Sequence, residues 1–349
     1  MNTMEYTKES SQKDLDWANL GFKYIPTNCF AQVEYKDGKW GVPTLVEDPC
    51  LKLHMAANVL HYGQACFEGL KAFETKSGQV ALFRPDENAI RLQKSADRIC
   101  MEAPSQELFL ETCLKAIEAN REFVPPYGTG ASLYIRPTLI GTEPMVGVNP
   151  SDSYTFFVFV IPVGPYYKDG FSPVRSVILD QFDRAAAMGT GRAKAAGNYA
   201  ASLMPHKEAK KQGFPIVLYT DSIHHKYIDE FGTSNFIGIT KDRKYVTPDS
   251  PSVLKSITNK SLQVLAEDQG YTVCKQPILV EEVNQFCEVG ACGTAAVITP
   301  IHSITRGDQE WTFGDPNKAG NVLTSLYEQL QGIQYGEIED KHNWLTYLP

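Results

Sequence analysis

The stretch Met188-Gly-Thr-Gly-Arg-Ala-Lys194-Ala-Ala-Gly-Asn-Tyr199 is unlike anything else in the 349-residue chain. A single lysine stands among glycine and alanine, so backbone and ammonium can both come close to a flat ligand. It is not a Walker phosphate loop, because Lys194 is followed by alanine and not by serine or threonine. Nor is it GxGxxG, since Lys194 occupies the third glycine position. Alone, a lysine in a small-residue loop reads as a solvated side chain. Its meaning depends on what flanks it.

Downstream, Asn198 to Gln212 is expected as a helix stopped by Gly213. Pro215 to Thr220, Lys226 to Asp229 and Asn235 to Thr240 read as short strands, and Ser256 can cap a helix running to Gln269 with Gly270 as its stop. Upstream, Asp37-Gly38 is a hairpin turn between Ala31 to Lys36 and Lys39 to Val42, and a second strand pair brackets Lys76-Ser77-Gly78. Asp86 is read as the N-cap of a helix with Ala89, Leu92, Ala96 and Ile99 inward. Ser105 caps the next, with Phe109, Cys113 and Ile117 repeating every four residues. Ala131 to Thr138 and Tyr154 to Ile161 are strands. From Pro162 to Pro173, five of twelve residues are proline or glycine, a linker composition.

The chain therefore divides into an N-terminal α/β domain over 1–161, an interdomain linker over 162–173 and a C-terminal domain over 174–349. Strands and helices interleave without regular alternation. That favours a two-domain α+β or mixed α/β fold, mixed sheets with flanking helices, over a doubly wound parallel sheet.

Composition sets outer limits. Thirty-three basic against 41 acidic residues give a net charge of −8, which implies no basic face for nucleic acid. The apolar run Tyr154 to Ile161 is a buried strand, far short of the roughly 20 residues that a membrane helix needs. Met1 to Asp16 is polar and mixed in charge, without the pattern of a leader peptide. Eight cysteines include no CxxC pair and no histidine pair at finger spacing, so no metal site is expected, and reduced thiols fit a cytoplasmic protein. The adjacent His224-His225 points to opposite sides of an extended segment and reads as a surface turn, not as a metal site.

Six segments, in order, give the lysine its context: His61-Tyr-Gly-Gln-Ala-Cys-Phe-Glu-Gly69, Tyr134-Ile-Arg-Pro137, Gly147-Val-Asn-Pro150, Lys194-Ala-Ala-Gly-Asn-Tyr199, Asp229-Glu-Phe-Gly-Thr-Ser-Asn-Phe236 and Gly293-Thr-Ala-Ala296. Together they resemble the branched-chain amino-acid aminotransferases, fold-type IV enzymes of the D-amino-acid aminotransferase-like fold. The resemblance implies pyridoxal 5′-phosphate as cofactor, held in the C-terminal domain, and Lys194 as its Schiff-base lysine and catalytic residue. It implies ping-pong transfer from L-leucine, L-isoleucine or L-valine to 2-oxoglutarate, in branched-chain amino-acid biosynthesis or breakdown.

Each role has a chemical reason. The lysine must offer an unprotonated amine, and Ala193, Ala195 and Ala196 are compatible with a desolvated site. A protonated ring nitrogen calls for a carboxylate, and the resemblance puts Glu230 there; Asp229 beside it faces the other way in an extended segment. A phosphate calls for helix-start amides and a cation. The resemblance supplies the amides of Ile257 and Thr258, the hydroxyls of Thr258 and Thr294, and the charge of Arg91. Tyr199 would bond the cofactor's phenolic oxygen. Tyr134 and Arg136 share one strand face, which suits carboxylate recognition. By resemblance Tyr134 takes the α-carboxylate with the amides of Thr294 and Ala295, while Arg136 and Tyr62 take the second carboxylate of glutamate. Phe67, Tyr166 and Tyr62 would wall the side chain, with Val148 reaching over from a second subunit of a homodimer.

Two departures stand out. Ala196 replaces a usual glycine, and Ala296 and Thr299 stand where some animal members carry a CxxC redox pair, so that thiol switch is expected to be missing. Other readings are D-amino-acid aminotransferase and aminodeoxychorismate lyase of the same fold, a cofactor-free Schiff-base aldolase, and a phosphate-binding module without catalysis. The aldolase would leave Glu230, Arg91 and the Ser256-Ile-Thr258 segment without a task.

Overall fold

Asp37 and Gly38 both take positive φ, 52° and 76°. This is the two-residue turn whose twist matches a right-handed hairpin, and it joins β1 (Phe30–Lys36) to β2 (Lys39–Trp40). The computed structural model describes residues 15–17, 19–164 and 171–349. Around β1 the chain builds its first sheet from β3 (Thr44–Val46), β4 (Ala65–Phe67), β5 (Leu70–Glu74), β6 (Val80–Phe83), β7 (Ser132–Gly141) and β8 (Tyr154–Val163). Every pairing in it is antiparallel. The long β7–β8 ladder reaches Pro162 and Val163, two residues into the proline- and glycine-rich stretch expected as linker.

Helix α1 (Asn58–Tyr62) precedes β4, and two longer helices cover one face of this sheet. Helix α2 (Pro85–Arg98) is capped by Arg84 at φ 49°, with Pro85 as its first residue. Asp86, expected as the cap, lies inside the first turn. Proline is well suited to open a helix, since the N–H it lacks would have had no partner there. Helix α3 (Gln106–Glu118) begins as expected: Ser105 Oγ accepts the Leu108 N–H at 3.2 Å. Leu92, Phe109, Cys113 and Ile117 bury against Leu133, Ile135, Phe156 and Val158. The alternation along β7 then sends Tyr134 and Arg136 to the opposite face.

The second sheet is mixed. Strands β9 (Val174–Val177), β10 (Ile216–Thr220), β11 (Ile228–Phe231), β12 (Ser234–Thr240), β15 (Phe286–Gly293) and β16 (Val297–Arg306) close into a six-membered ring in the order β11-β10-β9-β16-β15-β12, since β12 also pairs β11. Strands β13 (Lys244–Pro248) and β14 (Thr272–Gln276) extend it from β12, and β17 (Gln309–Thr312) hangs on β16.

The helix expected over Asn198 to Gln212 is two, α4 (Ala196–Ala201) and α5 (Leu203–Lys211). Pro205 cannot donate back to Ala201, so the ladder breaks at Ser202, whose hydroxyl bonds the Tyr199 carbonyl. Helix α6 (Ile257–Asp268) packs with α7 (Asn321–Gln334) over Ile237, Ile239 and Ile298. The last strand, β18 (Leu345–Tyr347), crosses back to β6 in the first sheet.

Candidate active site

The two sheets meet at Lys194. Its carbonyl accepts the Phe67 N–H from β4 at 3.2 Å, its own N–H donates to Ser95 Oγ on α2 at 2.9 Å, and Cys66 bridges Ala195. The lysine is thus fixed between the sheets before its side chain is considered. Nζ then lies 2.7 Å from the Tyr199 hydroxyl and over the rings of Phe67 and Tyr199, at 4.8 and 4.9 Å from their centroids. Ala196, in place of the usual glycine, opens α4, a helical position that alanine favours.

Glu230 is buried on β11. Its Oε2 accepts the Asn235 amide at 2.6 Å, and its Oε1 accepts the Leu254 N–H at 3.0 Å. Burial pushes its carboxyl up from the ordinary range, and the Arg184 guanidinium, with Nε 3.0 Å from Oε1, pulls it back down. The neighbouring Asp229 takes a separate bond from the Ser252 hydroxyl. Only Glu230 joins the cluster with Asn235 and Leu254, as the alternation of an extended segment demands.

One residue beyond Leu254, the Lys255 carbonyl accepts from Arg91 Nη1 at 3.1 Å. Arg91 is set by Glu68, which takes a two-pronged contact from Nε at 2.8 Å and Nη2 at 2.7 Å, plus the Asn88 amide at 2.8 Å. Burial alone would lower the Arg91 pKa, but the Glu68 carboxylate more than offsets it and keeps the guanidinium charged. Beside it α6 begins. Ser256 Oγ takes the Asn259 N–H at 3.2 Å, leaving the N–H groups of Ile257 and Thr258 with no acceptor among the described residues.

Across the sheet interface, Arg136 donates to the Tyr134 hydroxyl at 3.0 Å and stacks 4.7 Å from the Phe67 centroid. Its buried Nε has no acceptor among the described residues. Gly69 makes room for Tyr134, since a Cβ there would overlap the phenol oxygen. The turn carrying Thr294 and Ala295 follows β15, where Cys292 pairs with Asn235.

These contacts test the cofactor expectation on the chain's own groups. A carboxylate offers about four acceptor sites, and Oε2 of Glu230 uses one of its two on Asn235, so a protonated ring nitrogen has a place. Two unpartnered amides at a helix start, with one charged arginine, match a phosphate. An amine against a phenol matches the imine-forming lysine. The residues fit pyridoxal phosphate.

The structure brings Lys194, Tyr199, Glu230, Arg91, Phe67, Tyr134 and Arg136 together, with Ile257, Thr258, Thr294 and Ala295 at the rim. It does not bring in Tyr62. The Tyr62 hydroxyl bonds the Val146 carbonyl, and Val148, expected from a second subunit, is 82% exposed. Tyr166 lies outside the described residues. Sequence reasoning assigns no role to Glu68, Arg184 or Asn235. Glu68 and Asn235 stand inside quoted motifs, and a charged or amide side chain among their apolar neighbours is the signal that could have found them.

A family model described as amino-transferase class IV matches residues 65–304. The branched-chain-amino-acid aminotransferase of Haemophilus influenzae is 45% identical over 96% of this chain and 99% of its own. That of Helicobacter pylori is 47% identical over 95% and 98%. Among solved structures, the Escherichia coli branched-chain amino acid aminotransferase superposes with a TM-score of 0.76 at 28% identity, over 91% of this chain and all of that one. A second branched-chain amino acid aminotransferase, solved with pyridoxamine 5′-phosphate, gives 0.79 at 26% identity, over 93% and all.

Proposed function

The chain belongs to the class IV aminotransferases, and within them to the branched-chain-amino-acid aminotransferases; on that premise we propose how its own residues carry the reaction. The activity is ping-pong transfer of the amino group of L-leucine, L-isoleucine or L-valine to 2-oxoglutarate, with pyridoxal 5′-phosphate as cofactor. When bound, the cofactor supplies an electron-withdrawing ring that stabilises charge developing at the substrate Cα. The Lys194 amine takes the Cα proton and returns it across the transferring nitrogen, and the Tyr199 hydroxyl 2.7 Å away holds that amine in place. Glu230 would keep a proton on the ring nitrogen. Arg91 and the Ile257 and Thr258 amides would hold the phosphate, with the Thr258 and Thr294 hydroxyls.

Substrate recognition follows the sheet faces. Tyr134 and the amides of Thr294 and Ala295 take the α-carboxylate, Arg136 takes the second carboxylate of glutamate, and Phe67 packs against an apolar side chain. By this reading Tyr62 and Tyr166 would add to that wall, and Val148 would do so across a homodimer interface. Supporting that interface, Met55 just before α1, Leu60 on α1, and Val146 and Val148 on the loop tied to them are all exposed, apolar side chains of the kind that mark an association surface. We place the two domains at 1–161 and 174–349, joined by 162–173, and the protein in the cytoplasm, where its eight free cysteines stay reduced.

The observation that carries this reading is the Lys194–Tyr199 contact, flanked by Glu230 and Arg91 on either side of residues 254 and 255. The test is a visible spectrum of the purified holoenzyme before and after adding L-isoleucine, with D-alanine as control. Loss of the cofactor band with L-isoleucine alone is expected. Bleaching by D-alanine alone would assign the opposite handedness.

A further inference from the structure

Lys71 lies on β5 directly opposite Tyr134 on β7, and directly paired residues project from the same face of a sheet. Its ammonium therefore enters the substrate side of the first sheet. There it donates to the Ala295 carbonyl at 2.8 Å, 224 residues away in sequence. No carboxylate pairs with it among the described residues, and burial alone pushes its pKa down to about 8. A part-buried cation without a counter-ion still loses some of its hydration, and a methionine in its place would pack at lower cost. Something at this position needs the donor.

The segment it grips is independently unusual. Val297, two residues on, has φ 64°, and the Ile298 N–H bonds the Ala296 carbonyl at 2.9 Å, which closes a three-residue turn. A β-branched residue at positive φ is a real outlier, and a γ-turn of that hand is rare and strained. Strain of this kind persists only where the surroundings over-determine the backbone. The adjoining Ala295 peptide is held from outside by Lys71.

We propose that Lys71 is a positioning residue for substrate recognition: by clamping the Ala295 carbonyl it fixes the strained turn so that the Thr294 and Ala295 amides face the α-carboxylate. The proposal rests on the assignment of those amides made above. The clamp couples the two halves of the site. Tyr134 and Lys71 stand side by side on one sheet, so the phenol and the amides it works with are set by the same strand pair. The ammonium also brings a positive charge close to where the carboxylate binds.

The test uses the holoenzyme with two probes read through the cofactor spectrum: 4-methylvaleric acid, and 4-methylpentan-1-ol, which has the same chain without the carboxylate. Lys71→Met is expected to weaken the acid by about tenfold to a hundredfold, the worth of one charge-assisted hydrogen bond, and to leave the alcohol unchanged. The KM for L-leucine should rise more than kcat falls, and Lys71→Arg should restore most of the acid's affinity. Lys71→Gln, which keeps an N–H but no charge, gives the same comparison should the methionine variant not fold. Equal weakening of both probes, or no weakening of the acid, overturns the clamp while leaving the carboxylate assignment standing. If the wild type binds the acid no better than the alcohol, the assignment itself fails and the clamp fails with it.

Discussion

Replacing Arg184 by methionine isolates the electrostatics that keep Glu230 charged. The two side chains are 6% and 5% exposed, with Nε and Oε1 3.0 Å apart. At an effective dielectric of about 20 that separation corresponds to about 5 kcal/mol of gross attraction. Arg184 also donates to the Gly191 carbonyl at 2.8 Å and to the Ser252 carbonyl. Removing one partner of such a buried pair costs roughly 3–5 kcal/mol, which would lower the apo-protein Tm by roughly 5–10 °C. The cost should depend on pH in a definite direction. Burial already raises the Glu230 carboxyl, and only Arg184 and its hydrogen bonds draw it down. Without Arg184 its folded value rises further above the unfolded one. The folded state then favours the protonated form, so the variant's stability is fullest below the unfolded pKa and is lost as pH rises through the folded pKa. Melts at about pH 5 and about pH 8 should therefore show the larger deficit at the higher pH. Activity needs the ionised carboxylate, so the acid limb of the pH–rate profile should move up. The double variant Arg184→Met/Glu230→Gln leaves no unpaired charge and should recover about 2 kcal/mol relative to the sum of the singles. Additive singles with an unmoved acid limb would refute the coupling.

Four further outcomes are expected. Lys194→Ala should abolish turnover and leave the far-UV spectrum and apo-protein melt unchanged; residual wild-type rate would remove Lys194 from the mechanism. Glu68→Gln, by loosening the two-pronged hold on Arg91, should weaken pyridoxal phosphate binding on the order of tenfold or more, measured by equilibrium dialysis. Gly69→Ala should push the Tyr134 phenol aside and raise KM for every amino-acid substrate with little change in cofactor affinity; an unchanged KM would argue against Tyr134 in carboxylate recognition. Val148→Asp should shift the protein toward monomer in sedimentation and lower activity in the same proportion, whereas a full-activity monomer would dispose of the shared site.

Much of the fold could be read from local signals because local physics decides those parts. Asp37-Gly38, the Ser105 and Ser256 caps and the Gly270 stop each act within a few residues, and each stands where the sequence put it. The errors are also local in cause. Asp86 is a good capping residue, but Pro85 opens the helix more cheaply one position earlier, and Pro205 divides a helix whose apolar spacing runs on without a break. What no periodicity carries is closure. The β11–β12 pairing that completes the six-membered ring, and the return of β18 to β6, join segments whose sequences look like any other short strand.

The site divides along the same line. Lys194 with Tyr199, Glu230 with Asn235, and Tyr134 with Arg136 each lie within five residues of each other and share a motif. The groups that hold these residues come from far away: Glu68 to Arg91 spans 23 residues, Ser95 to Lys194 spans 99, and Lys71 to Ala295 spans 224. Such contacts leave no spacing to read, because any surface lysine or glutamate has the same sequence appearance as these buried ones. Their trace is energetic. Burying a charge is tolerated only where a partner or a task compensates it, so the buried charges of Glu68 and Arg184, with the part-buried one of Lys71, mark the supports of the site. Sequence thus names the groups that meet the ligand, while burial identifies those that hold them in place. A variant in the second class should fail through geometry and protonation, with the chemistry of Lys194 itself left intact.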